Sequence, residues 1–190
     1  GVPTHLGDLE ALRALVQQTV DAFGAIDVVV NNAATALALP LGEFTLDAWN
    51  KSMDVNLRGP VFLVQEALPW LKKSPHAAVL NVLTGAAFLF SSTISLYAIG
   101  KAGMMAATRA MAAEFEPFGI RVNALSPGTV DTDMVRKNTP EAQDVMTSIQ
   151  LMKRKASPDE MVGPALMLTS DAGSFITGHV VFADGGMVPH

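Results

Sequence analysis

The chain has 190 residues, 49% of them hydrophobic and 16% charged, with no cysteine and a formal net charge of −5. That is too apolar for a disordered chain and long enough for one domain with a substantial core. The missing cysteines rule out disulfides and thiolate metal sites, and the negative balance argues against nucleic acid or an anionic membrane surface as partner. No apolar run approaches the ~18 residues of a spanning helix. No charged-then-apolar leader pattern follows Gly1, so a cytoplasmic protein is the expectation.

In chain order, Leu9, Leu12, Leu15, Val16, Val20 and Phe23 recur at helical spacing, and Gly24 stands where a helix stops. Ile26-Asp27-Val28-Val29-Val30 is short and β-branched, and reads as a strand covered on both faces. Thr45 is a helix N-cap ahead of apolar positions that run through Met53 and Leu57 to Leu71. Pro60 and Pro69 interrupt that run and predict a kink or two segments. Ala77–Leu83 is a strand, followed by a loose loop around Gly85 and Ser91-Ser92-Thr93. A long helix covers Ser95 to Phe115. Arg121–Leu125 is a third strand, stopped by Ser126-Pro127-Gly128, and Asp131 to Lys155 is the least regular and most mobile stretch. Ser157 and Pro158 open a helix ending near Ser170. Val180–Ala183 is the last strand, closed by Asp184-Gly185-Gly186. Strands alternating with helices predict one α/β domain over residues 1–190, a parallel sheet with right-handed crossovers.

Tyr97 and Lys101 sit four apart in the long helix, so their side chains share one face. Thr84 ends the preceding strand, where open α/β sheets place their ligands. A phenol moves protons near neutral pH only if its anion is stabilised, and a neighbouring ammonium does that. A hydroxyl beside the phenol holds a substrate oxygen. Taken alone, a Tyr and a Lys at this spacing are equally a surface pair.

Five further signatures occur in order: Asn31-Asn32-Ala33-Ala34, Asp54-Val55-Asn56-Leu57, Tyr97-Ala98-Ile99-Gly100-Lys101, Arg121-Val122-Asn123-Ala124 leading into Pro127-Gly128, and Ile176-Thr177-Gly178 before Ala183-Asp184-Gly185-Gly186. With these the whole chain resembles the short-chain dehydrogenase/reductase family. The resemblance implies a Rossmann-like doubly wound sheet and hydride transfer between a small-molecule carbonyl and an alcohol with NAD or NADP. Tyr97 would be the general acid/base, Lys101 would steady its anion and bond the nicotinamide ribose, and Asn56 would hold a proton-relay water. Asn31 and Ala33 would line the ribose side. Pro127, Gly128, Val130 and Thr132 would wrap the nicotinamide, Val130 through its backbone. The residues allow plainer roles too: Asn31 tying strands together, Asn56 capping or kinking its helix, Pro127-Gly128 forming a turn.

Two departures stand out. Counting back thirteen positions from Tyr97, where the family has its catalytic serine, gives Thr84; the hydroxyl is kept, with a methyl that stiffens the rotamer. The family's opening Thr-Gly-x-x-x-Gly-x-Gly turn, which cradles pyrophosphate, has no counterpart. The expectation is a chain lacking its N-terminal strands, with the Asp27–Asn31 strand left as a bare edge and dinucleotide binding weakened. The four histidines are scattered, with no metal-ligand spacing. Ala98, Ala102, Gly103, Ala106, Ala107, Ala110 and Ala113 form a small-residue helix surface, either packed on the sheet or used in a homodimer or homotetramer. A non-catalytic relative working through that surface is the alternative to an enzyme.

Overall fold

The computed structural model describes residues 1–189, leaving His190 outside the described residues. Helix α1 (Leu9–Phe23) begins where Asp8 accepts the Ala11 N–H and ends at Gly24, whose φ of 78° suits only a residue without a Cβ. Strand β1 (Val28–Asn31) follows. Thr45 caps α2 (Leu46–Met53), accepting the Ala48 N–H at 3.1 Å. One π-helical turn, Asp54–Arg58, joins α2 to α3 (Gly59–Leu71). Pro60 sits at the start of α3, where no N–H is needed, so the predicted break is two segments around a π turn.

Next come β2 (Ala78–Val82), α4 (Ser95–Phe115), β3 (Arg121–Pro127), the short α5 (Asp133–Arg136) and α6 (Pro140–Ser148), α7 (Val162–Thr169) and β4 (Val180–Ala183). The strands pair in parallel in the order β1-β2-β3-β4, with Asn31 opposite Asn81 and Asn81 opposite Ala124. On one face, α1, α3 and α4 bury Val16, Val64, Leu71, Met104 and Met111 against Val29, Val79, Val122 and Ala124. On the other, Leu168 of α7 packs on Leu80 and Leu125. Burying a leucine this fully is worth about 1.5–3 kcal/mol, enough to anchor a helix of two turns.

Three expectations are corrected. Strand β1 is not covered on both faces: Val28 is 37% and Val30 50% exposed, because α7 reaches only the strands beyond it. It is also the edge of the sheet. Strand β3 does not stop before Ser126 but runs through Pro127, which pairs with Ala183. Its backbone groups alternate sides, Leu125 toward β2 and Gly128 toward Ala183 in β4. Pro127 therefore turns its nitrogen toward the β2 side, past the end of β2, and loses no ladder bond. The stretch from Asp131 to Lys155 holds two helices, with Thr139 capping α6.

Candidate active site

The carboxyl ends of the strands bring Asn31, Thr84, Pro127 and Asp184 to one edge of the sheet, and α4 enters there with Tyr97 in its first turn. Thr84 is extended and accepts the Ala86 N–H on its Oγ1 at 3.3 Å. Its side chain also hydrogen-bonds the Tyr97 phenol. Burial raises the Tyr97 pKa above its ordinary value, and the Thr84 hydrogen bond opposes the rise. Lys101, 3% exposed, donates from Nζ to the Val82 carbonyl at 2.6 Å. Its Nζ lies 5.9 Å from the Tyr97 ring centroid, and burial lowers its pKa to about 8.

The ammonium thus lies over the Tyr97 ring while it donates to a backbone carbonyl, and Thr84 is the hydrogen-bond partner of the phenol.

Asn56 is fully buried in the π turn. Its Oδ1 accepts the Thr35 N–H at 3.1 Å, and its Nδ2 donates to the Thr35 carbonyl at 2.8 Å and to Ser52 Oγ at 3.2 Å. The side chain thus holds the loop after β1. Asn31 donates to Asn81 Oδ1 at 2.8 Å, and Asn81 to Thr108 Oγ1 at 2.9 Å, so Asn31 ties β1 to β2 and, through Asn81, to α4. Ala33 is exposed in the loop beyond β1. Gly128 passes so close to Asp184 that a Cβ would stand 2.6 Å from the Asp184 carbonyl oxygen; only glycine fits. Val130 forms a bridge with Ala156, and Thr132 turns back onto the Val130 carbonyl.

The structure therefore brings Thr84, Tyr97 and Lys101 together and sets Asn56 and Asn31 behind them as supports. Sequence reasoning gave no role to Ser52, Asn81, Thr108 and Gln150. An asparagine inside an apolar strand was a signal for Asn81. Gln150 carried none, although its buried amide accepts the Thr129 N–H at 2.6 Å and donates to the Met152 and Arg154 carbonyls. A cavity of about 300 Å³ lined by Thr129, Gln150, Met152, Glu160 and Asp184 touches none of the Thr84, Tyr97 and Lys101 group.

The residues present fit a nicotinamide ribose. Lys101 has three N–H donors and spends one on Val82, which leaves two for ribose hydroxyls. A parallel sheet whose strand ends carry a Thr–Tyr–Lys group, with the lysine buried, is the arrangement of an α/β oxidoreductase. A family model described as enoyl-(acyl carrier protein) reductase matches residues 2–188. A probable galactose dehydrogenase of Rhizobium meliloti is 33% identical over 188 residues, covering 98% of this chain and 73% of the relative. The 3-oxoacyl-[acyl-carrier-protein] reductase FabG of Thermotoga maritima is 32% identical over 184 residues, 97% of this chain and 75% of the relative. A blue fluorescent protein from a metagenomic library, solved in complex with NADPH, superposes with a TM-score of 0.91 at 28% identity, covering 98% of this chain and 74% of that one. The chain belongs to the short-chain dehydrogenase/reductase family, a family of NAD(P)-dependent oxidoreductases. Among the described residues no helix is long and apolar enough to cross a membrane.

Proposed function

We propose that this protein interconverts a carbonyl and a secondary alcohol, with Tyr97 as the proton-transfer residue. The observation that carries this reading is the side-chain hydrogen bond between Thr84, which also accepts the Ala86 N–H, and the Tyr97 phenol at the sheet's ligand edge, with the Lys101 ammonium 5.9 Å from the ring centroid. Tyr97 carries its proton at neutral pH and can give it up as a general acid, and the Thr84 hydrogen bond opposes the rise that burial causes in its pKa. A reduced nicotinamide held at Lys101 would supply the hydride for the carbonyl carbon. Tyr97 supplies the proton to the carbonyl oxygen, and Thr84 supports the phenolate left behind. Lys101 holds the ribose and keeps a positive charge near the ring. Asn31, Ala33, Pro127, Gly128, Val130 and Thr132 shape the cofactor side, with Asn56 positioning the loop at Thr35. We also propose a homodimer or homotetramer through α4, whose Ala106, Ala110 and Ala113 are exposed. Light scattering that finds only monomer refutes that part.

Tyr97→Phe removes the proton and leaves the ring. NAD(P)H-dependent ketone reduction is expected to fall about 10²–10⁴-fold, with folding unchanged by circular dichroism. Undiminished activity would remove Tyr97 from its role.

A further inference from the structure

The surroundings of Thr84 are apolar, and they are built from segments far apart in the chain. Gly85, next to Thr84, is covered by Met187: a Cβ there would stand 2.5 Å from the Met187 sulfur. Gly186, next to Met187, is covered in turn by Leu151, whose Cδ1 would lie 2.7 Å from a Cβ at that glycine. The Met152 N–H donates to the Gly185 carbonyl at 2.9 Å. Residues 150–152 are thus fastened to the C-terminal turn, and that turn to the floor beside Thr84. Leu151 is nonetheless 81% exposed, with Ile149 and Met152 also exposed beside it. Phe90, on the loop that leads from Thr84 to Tyr97, has its ring entirely in solvent.

Four cations of the same segment are turned elsewhere. Arg154 forms a two-pronged pair with Glu160 at 2.7 and 2.8 Å, and Arg136 pairs with Asp131 at 3.0 Å. Lys155 lies 3.3 Å from Asp131 and donates to Gln143, while Lys153 donates to the Ser148 and Gln150 carbonyls. A phosphorylated or carboxylate-bearing substrate is recognised by free guanidinium or ammonium groups, and four of the segment's five cations are committed within the chain, the exposed Lys137 after α5 being the fifth.

Resting on the carbonyl–alcohol reading above, we infer that the substrate is neutral and carries an apolar body of several carbons beyond the carbonyl, which lies against Met187, Leu151 and Phe90. A coenzyme A or carrier-protein thioester, with its phosphates, and a free sugar, with its many hydroxyls, both fit this mouth poorly.

The test uses the straight-chain 2-ketones from 2-butanone to 2-decanone. Binding to the protein is followed by ligand-observed NMR, and reduction with NADPH and with NADH by absorbance; acetoacetyl-coenzyme A is the charged competitor. Affinity and kcat/KM are both expected to climb about two- to fourfold per added methylene over the middle of the series. Leu151→Ser and Phe90→Ser are each expected to flatten the climb. A flat series in both measurements, or a preference for acetoacetyl-coenzyme A, overturns the inference. Chain-length-dependent binding without turnover of any ketone supports the apolar mouth and refutes the oxidoreductase reading beneath it.

Discussion

Gly100 crosses Asn56 at such short range that a Cβ on the glycine would stand 2.8 Å from the asparagine Cβ. The contact lies between Tyr97 and Lys101 on α4, and Asn56 in turn holds Thr35 by both its N–H and its carbonyl. Gly100→Ala is therefore expected to destabilise the protein by about 1–3 kcal/mol, since a Cβ rooted in the backbone cannot swing aside. Gly103→Ala meets only the tip of Leu57, at 2.9 Å, and gains helix propensity. Its change is expected within about 1 kcal/mol of zero. Urea denaturation of the two variants separates them, and equal losses would refute the tight crossing at Asn56.

Asn81 is the middle link of the Asn31–Asn81–Thr108 chain, wholly buried, whereas Asn31 is its end. Asn81→Ala strands the Asn31 amide and withdraws a donor from Thr108, an expected loss of about 2–4 kcal/mol. Asn31→Ala leaves one acceptor unpaired at the rim of the sheet and is expected to lose about 1–2 kcal/mol. The reverse order in chemical denaturation would contradict the chain of hydrogen bonds.

The methyl on Thr84 is separable from its hydroxyl. Thr84→Ser keeps the hydrogen bond to Tyr97 and is expected to retain activity within about tenfold. Thr84→Val keeps the shape and removes the donor, with an expected loss of about 10²-fold in kcat. Comparable activity of the valine variant would show that Tyr97 does not depend on this hydroxyl.

Lys101 links activity to stability. Its folded pKa of about 8 is below the usual 10.5, so the unfolded chain binds this proton more tightly than the folded one. The penalty is present in full below pH 8, and stability rises as pH climbs from about 8 toward 10.5, by about 3 kcal/mol in all. Lys101→Met is expected to abolish that climb, to add about 1–3 kcal/mol at pH 7, and to lose reductase activity. Denaturation midpoints between pH 6 and 10 read the first two effects directly. A wild-type protein whose stability falls over that range would overturn the buried-ammonium assignment.

The parts of this molecule that were legible in advance are those governed by neighbours within a few residues. Asp8 and Thr45 sit at helix starts, Gly24 at a stop, and Tyr97 and Lys101 share a helix face because four residues make about one turn. Strand and helix alternate visibly enough to imply the parallel sheet. The failures have one kind of origin. Three consecutive valines in β1 read the same whether or not a helix lies over them, so the uncovered face was not foreseen. Asn56 admitted a helix-kinking or a water-holding role, and its partner is Thr35, 21 residues away. Gln150 and Thr129, also 21 apart, meet with no local mark of it.

From its order of residues alone, the chain determined its caps, its alternating elements, its family and the pair Tyr97 and Lys101. Tertiary structure decided which groups hold protons tightly, because desolvation and hydrogen-bond partners come from segments brought together by the sheet. It is why Lys101 faces the Val82 carbonyl, why Thr84 hydrogen-bonds Tyr97, and why Met187 lies over Gly85 and Leu151 over Gly186.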